Sequence, residues 1–419
     1  MMKYLLFTCL VYSLQHLAAQ PTLLFEDKIY EAQIRTVQLY PSMGGAQDFL
    51  QPSSTPVQRQ NLLLEFDDFQ DRRNNYYIKL IHCNYDWTKS TLADLEFMDA
   101  YNEFPITDYA LSGNTHERYI HYRVPVPAVK YPGNYLLVAY RDDVQNIILS
   151  KRMMVFDTQI AVTKDDQQIG AGTLNWQKQL FNFVISYNDV EILNPTEMIH
   201  VNIRQNQRWD NAKFNVQPSF VRDDQSQLEY RNLDDSKQFY GGSEFRFVDF
   251  RSLNAPGVNT GKMVRNLKPF ELYVLTDASR GNDVYSQTND MDGNFIIDNT
   301  DYGEPATNGN YLYVNFSLKA DVPYDGDVYL IGKFNNYERS DKNKMKYNAT
   351  TGLYESRQYL KQGYYEYQYV IESKTLNPFT IEGSHFETEN TYEVAVYNHP
   401  FRPNADLLIG YMLIPVNPR

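Results

Sequence analysis

Cysteine is almost absent from this chain. Its 419 residues hold two, Cys9 and Cys83. Cys9 falls in residues 1–19, MMKYLLFTCLVYSLQHLAA, which carry a charge at Lys3, an apolar run from Tyr4 to Leu14, and small residues at Ala18 and Ala19. That is the pattern of a secretory signal peptide, with cleavage expected between Ala18 and Gln20. The apolar run is too short to cross a bilayer. Cys9 lies well ahead of the cleavage region, which argues against a lipoprotein anchor. The exported chain then keeps Cys83 alone, so no internal disulfide forms and buried cores must hold the fold.

Long hydrophobic runs are also missing. No later stretch approaches the roughly 18 continuous apolar residues of a spanning helix, so none is expected in the mature chain. Basic charge is in deficit: the formal net charge is −13, and losing Lys3 makes it more negative by one. An acidic exported chain is a poor match for nucleic acid or for an anionic membrane surface, both of which demand basic groups. Helical periodicity is scarce from end to end.

Catalytic and metal-binding patterns are equally thin. Beyond His16 in the leader, the histidines are His82, His116, His121, His200, His385 and His399. No HxxxH or HxH pair presents two imidazoles on one face. There is no glycine-rich phosphate loop after a strand and no G-x-S-x-G elbow. The acidic pairs Asp67-Asp68, Asp142-Asp143 and Asp234-Asp235 sit in turn-like contexts. Asp290, Asp292 and Asn294 echo a calcium loop, but its sixth position, which needs glycine, is Phe295, so a hairpin turn is expected there. The chain is read as a non-enzyme with no cofactor and no metal.

The most reactive-looking stretch is 80-LIHCNYDW-87, with His82 beside Cys83. Side chains alternate faces along a strand. Cys83 therefore shares a face with Ile81, Tyr85 and Trp87, while His82 points the other way with Leu80, Asn84 and Asp86. A regular strand cannot pair the two as thiol and imidazole. Cys83 is read as a small buried hydrophobe, inert because apolar surroundings raise its pKa. His82, Asn84 and Asp86 are read as a polar strand end.

What is abundant is tyrosine: 35 residues, within an aromatic content of 15%. Tyrosine suits half-buried strands and interfaces, since its ring packs while its hydroxyl stays wet. Period-two alternation accompanies it. Residues 118–127, 134–143 and 147–157 read as strands. In 311-YLYVNFSLKA-320, Leu312, Val314, Phe316, Leu318 and Ala320 share one face; in 364-YYEYQYVIE-372, Tyr365, Tyr367, Tyr369 and Ile371 do so, opposite Glu366, Gln368 and Glu372. Many short strands between turn signals predict an all-β chain of β-sandwiches. Alternation lapses near 157–172 and 289–310. The expected units are 20–157, 158–300 and 301–397, with a tail at 398–419.

Two resemblances sharpen this reading. The segment 328-VYLIGKFNNY-337, continuing through 344-KMKYNATTGLYE-355 and 363-GYYEYQYVIE-372, resembles glycogen- and starch-binding modules of immunoglobulin-like or E-set-like fold over about 90 residues. Those modules usually place a sugar-stacking tryptophan after the two asparagines, where this chain has Tyr337. Their following lysine corresponds to Gln368, and a second tryptophan platform has no counterpart near Ser373–Thr375. These departures predict that α-glucans do not bind.

The wider set is 82-HCNYDW-87, 101-YNEFPITDYALSGNTHERYIHYRVPVP-127, 131-YPGNYLLVAYRD-142 and 406-DLLIGYMLIP-415. Together they resemble the plug protein family of the type IX secretion system over nearly the whole mature chain. The resemblance implies a periplasmic subunit, held at the outer membrane through a protein complex, that closes the periplasmic mouth of the translocon barrel; other translocon subunits are further candidate partners. It carries over no individual contact residue. The alternatives are a periplasmic glycan-binding protein, a secreted hydrolase with sugar-binding modules, and an outer-membrane barrel. The hydrolase lacks a domain large enough for a cleft. The barrel reading fails on strand length and on the ending 416-VNPR-419.

Overall fold

The computed structural model describes residues 22–70, 72–165, 176–179, 181–231 and 238–418. The signal-peptide reading of 1–19 and the pair Asp234-Asp235 lie outside them. Among the described residues, twenty-nine strands make up most of the regular structure, and the α-helices are three single turns, Asp94–Phe97, Pro195–Met198 and Pro305–Asn308. The chain is all-β, and its strands stack as sandwiches around three large apolar cores.

The first sandwich pairs two sheets. One runs in the order Lys28–Ile29, Ile147–Phe156, Gly133–Arg141, Tyr76–Cys83 and Phe104–Pro105; the other in the order Ile34–Pro41, Leu62–Asp68, Ile120–Pro125 and Asp108–Leu111. Alternation places Leu62, Leu64 and Phe66 against Ile78, Leu80, Tyr135 and Leu137. Strand Gly133–Arg141 does not alternate, because both its faces are covered. Tyr135, Leu137 and Ala139 enter the first core, while Leu136 and Val138 pack on Cys83, Trp87, Tyr397 and Leu408. A strand sealed on both sides reads as a continuous apolar run.

The second sandwich closes with the end of the chain. Strands Ala161–Asp165, Asn182–Ser186, Gln227–Tyr230 and Phe220–Arg222 form one sheet. The other is Ile199–Gln205, Asn390–Asn398 and Leu407–Val416. Residues 398–419, expected as a tail, thus hold a ten-residue strand registered along the whole of Asn390–Asn398. Val394, Val396, Ile409 and Ile414 complete the core begun by Phe183, Ile185, Val201 and Ile203.

The third sandwich starts earlier than expected. Arg246–Asp249, Phe295–Ile297 and Asp327–Ile331 pair with Gly363–Glu372, facing a sheet of Thr260–Val264, Glu271–Val274, Tyr311–Lys319, Leu353–Lys361 and Lys346–Asn348. Residues 246–297, assigned by alternation to the middle unit, supply Val248, Phe250, Leu272 and Phe295 to this core. Alternation shows that a strand exists but not which sheet it joins. Leu312, Val314, Phe316 and Leu318 do share its buried face with Tyr365, Tyr367, Tyr369 and Ile371. The turn at 290–294 is not a hairpin: the strand after it pairs with Gly363–Glu372. Asp292 and Gly293 are left-handed, with φ of 57° and 81°, and a Cβ on Gly293 would run into the Tyr337 hydroxyl and the Phe245 ring.

Tyrosine serves mainly these interiors. Ten of the largest fully buried side chains are tyrosines, from Tyr76 to Tyr397, whereas among the described residues only Tyr101, Tyr109, Tyr273 and Tyr302 are well exposed.

Candidate functional site

The stretch 80-LIHCNYDW-87 is structural. Strand Tyr76–Cys83 ends at the cysteine, and residues 84–87 turn back so that Asn84 N–H bonds the Thr88 carbonyl. Cys83 is fully buried with Trp87, beside partly buried Ile81 and Tyr85, and burial pushes its thiol up to about 12. His82 faces the first core, edge-on to Tyr135 at 5.0 Å, with Nδ1 2.9 Å from Ser90 Oγ. Desolvation pulls its pKa down to about 4, so it is neutral. The expected polar strand end is therefore divided. His82 is a core residue, while Asn84 and Asp86 belong to the turn, where Asp86 accepts bonds from Thr88. Gly133 is required opposite, because a Cβ there would collide with the His82 ring.

Turn 332-GKFNNY-337 lies at a seam rather than on an open face. Tyr337 is 4% exposed, its ring under the Arg208 guanidinium at 4.5 Å and edge-on to Phe245. Gln368 is buried and donates to the Ser243 carbonyl at 2.7 Å. Both positions that the resemblance to sugar-binding modules would place against sugar are thus committed to protein.

Seams between the sandwiches hold buried polar networks. Where the first meets the third, the Lys361 ammonium donates to Asp67 Oδ2 at 2.6 Å, both side chains 1% exposed. Tyr311 OH donates to the same oxygen at 2.6 Å, and His121 Nδ1 stands 2.7 Å from Asp67 Oδ1. Desolvation opposes the charge on Asp67, but Lys361 and His121 overcome it and hold its carboxyl below the usual range. Asp67-Asp68, read as a turn pair, is buried at the end of strand Leu62–Asp68. Where the first meets the second, Tyr397 OH donates to Asn134 at 2.8 Å, Asp406 accepts the Tyr85 N–H at 2.8 Å, and Tyr85 stacks on His200 at 4.1 Å.

At the meeting of all three lies a cavity of about 370 Å³ lined by Lys151 and Arg152, Arg204 and Trp209, and Lys333 and Tyr337. Lys151 pairs with Asp27 at 2.8 Å, Arg204 pairs with Glu393, and Arg152 donates to the Phe25 carbonyl. Arg204 and Arg152 flank Trp209 at 4.0 and 5.1 Å. Lys333 donates only to neutral oxygens, Gln207 Oε1 at 2.8 Å and Asn294 Oδ1 at 2.5 Å. Desolvation and the cations Lys151 and Arg204 bring its ammonium down to about 7. Behind it, Asp290, Asp292 and Glu366 crowd together. Burial lifts them to about 6, 8 and 9, helped by repulsion from Glu244 and Glu389 at Asp290 and Asp292, and from Asp290 at Asp292 and Glu366. Glu366 accepts the Met291 and Gly293 N–H groups at 2.9 Å. Sequence reasoning passed over Lys333, since only the fold sets it among cations.

No group of three or more His, Cys, Asp or Glu side chains among the described residues is arranged to hold a metal ion. No helix among the described residues is long and apolar enough to cross a membrane.

Known proteins bear on these findings in three ways. No curated protein matches the chain. A crystal structure of a hypothetical protein from Parabacteroides merdae superposes with a TM-score of 0.86 at 28% identity, covering 94% of this chain and all of its own. The C-terminal domain of the Streptococcus pyogenes antigen I/II-family protein AspA aligns at 8% identity over 91% of this chain and 99% of its own, with a TM-score of 0.17, too low to carry an argument. Finally, residues 34–157, the body of the first sandwich, match the family model of the type 9 secretion system plug protein 1st domain. That match makes the first sandwich a type 9 secretion system plug protein first domain.

Proposed function

We propose that this protein is a non-catalytic periplasmic subunit that binds and closes the periplasmic opening of the outer-membrane translocon barrel of the type IX secretion system. The observation that carries the reading is the family match over residues 34–157. The architecture supports it. An obstruction must be broad and must not deform, and three sandwiches tied by buried seams such as Asp67–Lys361 act as one body. Release for substrate passage calls for a reversible contact, near the standard size of roughly 1,600 Å². With most tyrosines buried, loops and strand edges rather than tyrosine-rich faces are the proposed contact. We also propose the division into three units given by the cores, with 390–416 completing the second.

The glycan-binding alternative loses its platform, because Tyr337 lies beneath Arg208. Deletion is expected to leave secretion largely intact while admitting bulky antibiotics that intact cells exclude, and the tagged protein is expected to recover an outer-membrane barrel from native membranes. Unchanged permeability together with recovery of no barrel would sink the plug reading.

A further inference from the structure

Lys333 sits in a cavity where positive charge exceeds the carboxylates that answer it. Lys151, Arg152, Arg204 and Lys333 converge there from all three sandwiches. Asp27 is taken by Lys151 and by the Arg152 N–H, and Glu393 by Arg204 and the Tyr411 hydroxyl. Of the other acids on the wall, Glu26 pairs with Lys28, Asp210 with Arg208 and Arg339, and Glu338 lies at the exposed rim. Among the described residues, Lys333 and Arg152 have no carboxylate within ion-pair distance. An ammonium has three donors, and Lys333 spends two on amide oxygens. Nη1 of Arg152 and Nη2 of Arg204 likewise have no acceptor among the described residues, since their bonds use the other guanidinium nitrogens. A partly buried cation without a counter-charge is costly. The volume, about 370 Å³, falls at the lower end of small-molecule sites.

We propose that this cavity binds a small organic anion, its phosphate or carboxylate group received by Lys333 with Arg152 and Arg204, and its body against Trp209. Charge-assisted bonds to such a group are stronger than the neutral bonds Lys333 now makes. Because the ligands come from all three sandwiches, the anion bridges them, and its binding stabilises their assembly by mass action. Binding also raises the affinity of Lys333 for its proton, so the anion is taken up together with a proton above neutral pH.

The test is calorimetry on the full mature chain at constant ionic strength, with sulfate as a tetrahedral probe that does not titrate and acetate as a planar one. Saturable binding of one anion per chain is expected, tighter for whichever geometry the site prefers. In buffers of different ionisation enthalpy, slightly above neutral pH, the heats should reveal proton uptake. Lys333→Met should weaken binding at least about tenfold, or about 1.4 kcal/mol, and abolish the thermal shift the anion gives the wild type. Failure of both probes to bind saturably would overturn the proposal, as would unchanged affinity in a folded Lys333→Met. If that variant does not fold, Arg152→Gln decides: unchanged anion affinity in it overturns the proposal.

Discussion

Two lysines of the third sandwich face two different seams. Lys361 points into the seam with the first sandwich and finds Asp67, backed by Tyr311 and His121. Lys333 points into the cavity where all three units meet and finds only amides. Both are held below the ordinary lysine range, and in both desolvation is the largest cause. For Lys361, Asp67 opposes that loss. For Lys333, Lys151 and Arg204 add to it. A buried charge with its partner locks a seam, whereas one without a partner carries an uncompensated desolvation cost.

Removing either partner of the locked pair is expected to have the largest effect. Lys361→Met strands Asp67 in an apolar seam and should cost about 3–5 kcal/mol in denaturant unfolding. Asp67→Asn should cost a similar amount, and the double variant less than the sum, because no lone charge then remains. Additivity would show that the two residues do not act as a pair.

Cys83→Ser comes next, at about 1–3 kcal/mol, because a hydroxyl replaces a thiol amid apolar groups. A thiol reagent should label native Cys83 only as fast as the protein opens. Immediate labelling would place the residue at the surface.

The carboxylates behind Lys333 set a pH dependence of the opposite kind from a salt bridge. Asp290, Asp292 and Glu366 have folded pKa values above the unfolded carboxylate range. The folded state therefore binds more protons, and stability falls as pH rises from about 4 to about 9. Asp292→Asn removes a charge, suits the left-handed backbone there, and should stabilise by about 1 kcal/mol near pH 8 and much less near pH 5. A thermal shift independent of pH would contradict this.

Lys333→Met should change stability by less than about 1 kcal/mol, as the lost charge penalty offsets two lost hydrogen bonds. Its folded pKa is depressed, so the penalty is full below about pH 7 and fades towards the unfolded lysine value; any gain should shrink as pH rises. A loss as large as that of Lys361→Met would erase the contrast between the seams. The smallest expected effect is none: the full chain should migrate unretarded in an amylose gel, because Tyr337 is covered. The whole chain is needed, since strands from 246–297 complete the third sandwich.

Much of the local structure was legible. The strands at 120–125, 147–156 and 311–319 follow period-two patterns, and the opposite facing of Cys83 and His82 follows from alternation alone. Burial of the second face was not. Gln368 and Glu366 read as sharing the face opposite the tyrosines, but nothing local showed that the 290–294 turn and residue 243 cover it. Nor was the role of Asp67, whose partner lies 294 residues away.

From the sequence follow an all-β chain, a buried Cys83, and a resemblance to a plug family carried by motifs from 82–87 to 406–415. These are properties of short segments, in which alternation and composition act over a few residues. Tertiary structure alone decided that the last strand, Leu407–Val416, closes the second sandwich, that residues 246–297 belong to the third, and that Lys361 is paired while Lys333 is not. A strand's pattern specifies that it needs a partner and a cover. Which strand pairs with it, and which charge meets which, depends on packing between distant segments whose free energies no local pattern encodes.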